Sequence, residues 1–465
     1  MAFYFDERGN KMSKQQTDLG KDKIGSLLFK LALPSICAQI INLLYNMIDR
    51  MYIGHIKNIG PSALTGVGVA MPVIVCISAF AALVSMGGAP LASINMGRGD
   101  KEKAENILGN CTTMLILTAL ILTSIFLVFG RKIMMLFGAS ENTIEYAWSY
   151  MKIYSLGTIF VQLALGLNAF INAQGFSKIA MTTVAIGALC NIILDPIFIF
   201  GFNMQVQGAA LATVISQSIS CIWILKFLTG KKTVLKIKRK YLLLKKNIIL
   251  PTIALGLSPF IMQFTESVLA VSFNTSLLKY GGDLAVGSMT ILNSVNQFCM
   301  MPLSGLSQGA QPIVSFNYGA KNVDRVQKAF KLLLRVCVVY SVVLWSISMF
   351  LPKAFILIFT SDSELIKYTM WSIRIYMAGS CVFGIQLACQ QTFIALGNAK
   401  KSIFLALLRK CILLIPLIYI FPLFIVNKTF AVFLAEPVAD VFAVMCTATM
   451  FYFEYRKLGL IAKKD

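Results

Sequence analysis

The chain of 465 residues carries a formal net charge of +22, yet only 13% of its residues are charged while 57% are hydrophobic. Soluble domains carry about 25% charged residues, so this composition excludes an ordinary soluble protein. Apolar runs of about 20 residues or more recur from Leu31 to Phe453, and each can cross a hydrocarbon layer of ~30 Å. We therefore predict an all-α integral membrane protein. Its basic residues flank the apolar runs, which indicates contact with lipid head groups and excludes a nucleic-acid partner.

Apolar run length and periodicity predict twelve membrane spans. Their approximate bounds, in chain order, are 31–53, 64–94, 107–129, 144–172, 179–200, 207–228, 248–277, 284–315, 328–351, 366–395, 402–426 and 430–453. An even number of spans puts both termini on one side, and the termini and the loops after even-numbered spans carry roughly four times more Lys and Arg than the other loops. We therefore expect a multi-pass protein of the cell inner (cytoplasmic) membrane with both termini in the cytoplasm.

The longest predicted cytoplasmic loop divides the spans into two sets of six. The predicted organisation is an N-terminal tail (1–30), an N-lobe (31–229), a basic linker (230–247), a C-lobe (248–453) and a C-terminal tail (454–465). The linker has eight basic residues and no acidic residue. Such a segment is typical of an anchor on anionic membrane lipid, and a specific binding site stays open as the alternative.

The two halves of the chain share short sequence patterns. "PLASINMGRGDKEKAENILG" from Pro90 and "PIVSFNYGAKNVDRVQKAFK" from Pro312 share P-x-x-S-x-N-x-G, and "AQGFSK" (173–178) shares A-x-G-x-x-K with "ALGNAK" (395–400). Both pairs are separated by 222 residues. Because each half has six spans, the halves have the same orientation and are related by a pseudo-twofold axis along the membrane normal. This arrangement favours a transporter over a receptor, a membrane enzyme or a scaffold.

Polar residues form a stripe along the first span. Gln39, Asn42, Asn46 and Asp49 follow one another at steps of three, four and three residues, which places them on one face of a helix. Such a stripe is expected to face the helix bundle or water, because lipid cannot satisfy its polar groups. For Gln39 and Asn42, contact between helices and contact with a substrate both stay open.

The fifth span contains "NIILDPIFIF" (191–200), which puts a carboxylate and a proline inside an apolar run. Asn191 and Asp195 are i and i+4, and therefore lie side by side on a helix. Pro196 has no N–H, so the carbonyl of Ile192 is expected to lose its helical partner and to be free for a proton-bearing group or a cation. Intramembrane ionisable residues are functional candidates by default, and Asp195 is therefore the leading one.

Three further acidic residues lie inside predicted spans. Glu266 follows Gln263 by one turn in span 7, and Glu436 and Asp440 are i and i+4 in span 12. Two carboxylates so close are costly to ionise together in a low-dielectric site. Glu436 and Asp440 are candidates for the wall of a polar cavity. The alternative is that water at the outer membrane surface solvates them. Arg374 in span 10 is either a counter-ion or a snorkelling side chain.

Several function classes are excluded by missing motifs. The sequence has no G-x-x-x-x-G-K-[ST] segment, which disfavours ATP hydrolysis as the driving force, and no H-E-x-x-H segment or Cys/His ligand set, which disfavours a metalloprotease. The 11 cysteines lie in apolar stretches and are interpreted as reduced packing residues. We therefore expect neither an enzyme nor a cofactor.

Several of these segments resemble the multidrug and toxic compound extrusion (MATE) family in its prokaryotic branch. "NIILDPIFIFGFNMQVQGAALATVISQ" (191–217) is similar to the signature of spans 5 and 6, and "LLYNMIDRMYIGH" (43–55) is similar to the first-helix motif. "PLASINMGRGD" and "AQG" also fit. The resemblance implies twelve helices in two six-helix lobes. It also implies an antiporter that exports cationic or amphipathic drugs and toxic metabolites in exchange for H⁺ or Na⁺.

The resemblance also implies site residues. It maps the coupling-ion cluster, for H⁺ or Na⁺, onto Asp49, Asn191, Asp195 and Thr213, with Tyr150 and Glu266 as further coupling residues. The expected substrate cavity includes Gln39, Asn42, Asn46, Gln386, Gln390, Glu436 and Asp440. An acid that one sodium-coupled branch has in span 10 is missing, and Gln386, Gln390 and Gln391 occupy that region instead. This departure argues against a Na⁺ site in the C-lobe.

The mechanism expected from these residues is a charge switch. Deprotonated Asp49 and Asp195 would attract a cationic ligand, and entry of H⁺ or Na⁺ would neutralise them, repack the helices around Pro196 and displace the ligand outward. We expect a monomer.

The alternative function is a lipid-linked glycan flippase of a related two-lobe superfamily, whose cavity should be strongly cationic. A second alternative is a membrane scaffold that transports nothing.

Overall fold

The computed structural model describes residues 17–57 and 59–461, without the side chains of Pro61, Leu460 and Ile461. The predicted N-terminal tail therefore lies outside the described residues up to position 16, and the predicted C-terminal tail does so from position 462.

The described chain folds into α-helices joined by short turns. Their bounds are α1 (Ile24–Gly54), α2 (Gly60–Gly97), α3 (Lys101–Leu136), α4 (Ile144–Leu156), α5 (Thr158–Ala173), α6 (Ser177–Pro196), α7 (Gln205–Thr229), α8 (Lys246–Gly319), α9 (Val323–Phe350), α10 (Pro352–Ile356), α11 (Ser363–Tyr376), α12 (Ser380–Ala395), α13 (Ala399–Leu407), α14 (Ile415–Phe424) and α15 (Lys428–Ile461). A π-helical segment (Ile197–Gly201) follows α6, and another (Leu408–Leu414) joins α13 to α14.

The helices reproduce the predicted spans. Among the described residues, nine helices are long and apolar enough to cross a membrane, and the count reaches eleven when the bent pairs α4/α5 (60°) and α11/α12 (48°) each form one span. Helix α8 has 74 residues and would be about 110 Å long if straight, far more than one membrane thickness. Gly282 divides it, because its φ of +64° and ψ of −162° are not helical. Counted as two arms, 246–281 and 283–319, α8 completes the twelve predicted spans.

The two lobes touch most closely along α2 and α8. A Cβ at Gly87 would stand 2.0 Å from the carbonyl oxygen of Thr252, and one at Gly256 would stand 1.7 Å from that of Leu83. Equivalent approaches occur at Gly97 and Gly319. We call this contact the glycine seam (Gly87, Gly97, Gly256 and Gly319). It joins the lobes towards the end of the bundle that holds residues 97, 246 and 319.

Helix α1 belongs to both lobes. Its first turns, including Leu27 and Leu31, are buried in one apolar core with Leu303 and Leu333 of the C-lobe. Its last turn contributes Ile53 to a core of the N-lobe. The helix therefore crosses from one lobe to the other, and its polar stripe passes the space between them.

The basic linker packs on the N-lobe. Gln174 Oε1, at the end of α5, accepts hydrogen bonds from the Thr233 hydroxyl (2.9 Å) and from the backbone N–H groups of Val234 (2.9 Å) and Leu235 (2.8 Å). The carboxylate of Glu105, which is 2% exposed, accepts from Lys238 Nζ at 2.5 Å. Buried polar groups of the N-lobe thus hold the linker in place, and its contact with anionic lipid stays a prediction.

The segment before α1 contacts both lobes at the same end. The Thr17 hydroxyl donates to the Gly175 carbonyl of the N-lobe at 3.0 Å. Arg325 of the C-lobe donates to the carbonyls of Leu19 (3.2 Å) and Asp22 (2.7 Å). We call residues 17–23 the N-terminal strap, because they run across the joined ends of the two lobes.

Candidate functional site

Helix α6 brings an amide and a carboxylate into the interior of the N-lobe. Asn191 is 2% exposed and Asp195 is 0% exposed, as expected from their spacing on one helical face. The helix does not stop at Pro196 but continues as the π-helical segment Ile197–Gly201. Such segments accommodate a break in the ordinary hydrogen-bond ladder and are frequent at functional sites. The free carbonyl expected at Ile192 stays a prediction.

Three helices close a polar cluster around Asp195. Asn191 Nδ2 donates to Asp195 Oδ1 (3.2 Å) and to the Thr213 hydroxyl of α7 (3.4 Å), which donates in turn to the Ala209 carbonyl (3.0 Å). The Asp49 carboxyl of α1 lies within hydrogen-bonding reach of the Asp195 carboxyl. The structure thus brings together the four residues that the resemblance assigns to the coupling ion, and we call Asp49, Asn191, Asp195 and Thr213 the N-lobe cluster.

Three oxygens of the N-lobe cluster lack a donor. Within the part of the chain that the structure describes, Asp49 Oδ1, Asn191 Oδ1 and Asp195 Oδ2 are buried and have no hydrogen-bond partner. Burying polar oxygens without a partner is costly, and the cost is largest for a carboxylate. Hard oxygen ligands of this kind suit a proton or Na⁺. The cluster is therefore chemically suited to hold a small cation between α1 and α6.

Tyrosines surround the N-lobe cluster. Tyr150 is 3% exposed, stacks on Tyr154 with ring centroids 6.0 Å apart, and lies beside the Thr213 hydroxyl. Tyr45 of α1 lies close to both carboxyls of the cluster. Sequence reasoning missed Tyr45, although its i, i+4 spacing to Asp49 is a signal that could have found it.

The acidic residues of the C-lobe form a different arrangement. Arg409 Nε donates to Asp440 Oδ1 (2.6 Å), and Arg409 Nη2 donates to Glu436 Oε1 (3.0 Å). Lys410 Nζ donates to the Glu266 carboxylate and to the Met262 carbonyl. We call Glu266, Arg409, Lys410, Glu436 and Asp440 the C-lobe charge cluster.

The C-lobe charge cluster differs from the sequence interpretation. Glu266 does not join Asp49 and Asp195 but pairs with Lys410 in the other lobe. Glu436 and Asp440 are not wetted carboxylates, since the Arg409 guanidinium pairs with both and all three side chains are at most 13% exposed. Sequence reasoning overlooked Arg409 and Lys410, the two basic residues of span 11. Arg374 is not a counter-ion of these acids, because it is exposed and its Nε donates to the Met349 carbonyl.

Gln386 and Gln390 lie inside the C-lobe. Gln386 Nε2 donates to Gln390 Oε1 at 3.2 Å, and Gln390 Nε2 contacts the Met262 sulfur at 3.1 Å. Both glutamines are buried, at 2% and 3% exposure. The structure places neither of them on the wall of the cavity between the lobes.

A cavity of about 540 Å³ lies between the lobes. Its wall includes Gln39, Asn42 and Asn46, as expected from the stripe on α1. Asn191 and Thr213 also line it, so two members of the N-lobe cluster face the cavity. The C-lobe supplies Gln263, which the sequence analysis named beside Glu266, and three glutamines that it missed: Gln297, Gln308 and Gln311. Asp49 and Asp195 stand behind this wall.

Comparison with known proteins identifies the family. A family model described as MatE matches the chain twice, at residues 34–197 and 259–420. The two matches together cover well over half of the sequence. The chain belongs to the MatE family. This is a family of transporters, so the chain is a transporter and not an enzyme. The double match also agrees with the repeat at an offset of 222 residues.

Curated relatives in the MatE family cover most of the chain. The multidrug export protein MepA of Staphylococcus haemolyticus (strain JCSC1435) is 24% identical over 400 residues, which are 86% of this chain and 87% of the relative. MepA of Staphylococcus aureus (strain NCTC 8325 / PS 47) is 24% identical over 400 residues, with 86% and 88% covered.

Solved structures show the MATE fold. A multidrug resistance MATE family transporter of the MOP superfamily, in an outward-facing conformation, superposes with a TM-score of 0.89 at 20% identity over 97% of this chain and 99% of that chain. A MOP superfamily transporter from Pyrococcus furiosus Vc1 (DSM3638) superposes with a TM-score of 0.88 at 21% identity over 97% and 100%. The all-helical MATE fold expected for the chain is thereby confirmed.

Proposed function

We propose that this chain exports drug-like cationic or amphipathic compounds across the cytoplasmic membrane by antiport, driven by inward movement of H⁺ or Na⁺. The N-lobe cluster carries this proposal, because two carboxyls face each other in a buried site with three oxygens that lack a donor among the described residues. The MepA relatives are named multidrug export proteins, which supports the same conclusion.

A cation changes the energy of the N-lobe cluster. Asp49 and Asp195 repel each other when both are ionised, and burial makes that state costlier. A proton or a Na⁺ ion relieves the repulsion and draws α1 and α6 together. Because Asn191 and Thr213 belong to the N-lobe cluster and also line the cavity, ion binding alters the wall that a substrate contacts.

The end of α6 can bend in response to ion binding. Pro196 and the following π-helical segment interrupt the regular ladder one residue after Asp195. Helices bend most readily at such points. Ion binding at Asp195 therefore bends the end of α6 and reshapes the cavity, which expels the substrate. The orientation that suits outward expulsion has both termini, the linker and the glycine seam at the cytoplasmic end.

Imposed gradients test the proposal. Purified protein in proteoliposomes, loaded with ethidium as a cationic probe, is given a pH gradient or a Na⁺ gradient, each without the other. We expect one of the two gradients to drive ethidium against its concentration difference. Transport that neither gradient accelerates would contradict antiport, and the gradient that works identifies the coupling ion.

The flippase alternative is not favoured by the cavity. A pyrophosphate group requires several cationic side chains, whereas Arg50 is the one charged residue of the cavity wall among the residues that the structure describes. Arg409 and Lys410 do not supply the missing charge, since carboxylates of the C-lobe charge cluster already pair with them.

A further inference from the structure

The wall of the cavity between the lobes is rich in amides. Eleven of its lining side chains are Asn or Gln, and they come from both lobes. Asn168 and Asn172 of α5 stand on the N-lobe side, and Gln308 and Gln311 stand on the second arm of α8. The Asn172 Nδ2 group donates to the backbone carbonyl of Gln308 at 3.2 Å, so the N-lobe and the C-lobe meet directly there.

The amide wall offers hydrogen bonds rather than charge. Arg50 is the single charged lining residue in the described ranges, and the carboxyls of Asp49 and Asp195 lie behind the wall. Asp195 is 0% exposed and Asp49 is 9% exposed. A ligand in the cavity therefore meets amides, hydroxyls, apolar side chains and Arg50, and neither carboxylate belongs to the cavity wall.

Two of the lining amides have an atom without a partner. In the described chain, Asn168 Oδ1 and Gln311 Nε2 are buried and make no hydrogen bond. Asn168 Nδ2 donates to the Ala180 carbonyl at 3.2 Å, which fixes the amide with its oxygen unpaired. Each lobe thus supplies a lining amide with one hydrogen-bonding atom that no group of the described chain satisfies.

These groups select a ligand by its hydrogen-bonding capacity. A permanent lipophilic cation without donors or acceptors gains nothing from an amide and leaves buried amides unpaired, which is unfavourable. A molecule with hydroxyl or amide groups on an apolar body can donate to Asn168 and accept from Gln311. The cavity volume of about 540 Å³ suits a drug-sized molecule.

We infer that the cavity binds uncharged amphipathic molecules that carry several hydroxyl or amide groups, in preference to permanent lipophilic cations. This inference rests on the proposed function in one respect only, that the molecule bound in the cavity is the one exported. It also changes the coupling scheme, because an uncharged ligand does not compete with the ion for a charge. The two communicate instead through Asn191 and Thr213, which belong to the ion cluster and to the cavity wall.

Equilibrium binding to the purified full-length protein, without any gradient, tests the inference. The probes are chloramphenicol, which has an amide and two hydroxyls, its diacetyl ester, in which the hydroxyls are masked, and tetraphenylphosphonium, a cation with no hydrogen-bonding group. We expect chloramphenicol to bind at least tenfold more tightly than either of the other two. Equal binding of the ester, or tighter binding of the cation, would overturn the inference, as would failure of the wild-type protein to bind chloramphenicol.

Variants of the two unpaired amides provide the second arm of the test. Asn168→Leu and Gln311→Met keep the size of the side chain, and each should weaken chloramphenicol binding roughly two- to tenfold while leaving the binding of the cation, which has no hydrogen-bonding group, unchanged. Asn293→Leu, an exposed amide on the same arm of α8 that does not line the cavity, is the matched control. Unchanged affinity in both cavity variants would contradict the inference. Gradient-driven transport is measured separately. A failed binding test therefore overturns this inference alone, and a failed transport assay overturns antiport.

Discussion

The carboxyls of Asp49 and Asp195 face each other within hydrogen-bonding reach, although they lie on α1 and α6. Asn191 Nδ2 donates to Asp195 Oδ1 at 3.2 Å, while Asn191 Oδ1 has no partner in the described chain. In the proposed mechanism this pair is the switch that the coupling ion operates.

Asn191→Ala should weaken ion binding. The substitution removes a donor to the Asp195 carboxylate and an oxygen that can hold the ion, and hydrogen bonds to charged groups contribute about 1.5–3 kcal/mol. We expect the ion concentration that half-saturates gradient-driven efflux to rise at least tenfold. Asn293→Ala is the control and should leave it unchanged. An unaltered concentration in Asn191→Ala would show that Asn191 does not contact the ion.

Arg409→Met should destabilise the C-lobe. It leaves the carboxylates of Glu436 and Asp440 buried without their partner, a loss of about 3–5 kcal/mol for a broken buried pair. We expect a clearly lower midpoint of thermal unfolding in detergent. The triple variant Arg409→Met/Glu436→Gln/Asp440→Asn removes the charges together and should recover most of the loss. A single variant as stable as the wild type would contradict the buried triad.

Gly256→Ala should force the glycine seam apart. Its Cβ would stand 1.7 Å from the Leu83 carbonyl oxygen, which only a backbone shift can relieve. Nitroxide labels at the exposed positions Lys101 and Lys328, one on each lobe, report the separation by electron spin resonance. We expect a longer distance in Gly256→Ala than in the wild type. Gly68→Ala, where a Cβ meets nothing within 4 Å, is the control. Equal distances would contradict close packing at the seam.

Arg325→Ala should release the N-terminal strap. The guanidinium holds the carbonyls of Leu19 and Asp22, so its loss frees the segment that crosses the lobes. We expect trypsin to cleave after Lys21 and Lys23 several times faster than in the wild type. Arg335→Ala, an exposed arginine on the same helix, controls for the loss of charge. Unchanged cleavage would show that Arg325 does not retain the strap.

Much of the architecture follows from the sequence because lipid imposes strong rules. A run of 20 apolar residues must be a helix, and a stripe of polar residues must face away from lipid. These rules located the twelve spans, the stripe of Gln39, Asn42 and Asn46, and the pairing of Asn191 with Asp195. They also explain why the MatE resemblance and the residue patterns agreed on the N-lobe cluster.

The remaining features depend on tertiary packing. Spans 4 and 10 bend near Gly157 and Gly379, where a Cβ would meet Val214 at 2.3 Å and Pro437 at 2.9 Å. No periodicity reveals such approaches. Arg409 and Lys410 are consecutive in a π-helical segment and face different neighbours, α15 and α8. Their roles depend on which helices pack on either side, which a single sequence does not specify.

The most direct test of the central claim is gradient-driven efflux by Asp195→Asn in proteoliposomes. Asp283→Asn, which replaces an exposed acid next to the Gly282 break, is the matched control. Asparagine keeps the shape of the side chain and removes its charge, so Asp195→Asn should still bind the probe but lose ion-driven efflux, while Asp283→Asn keeps both. Full ion-coupled efflux by Asp195→Asn would contradict the account.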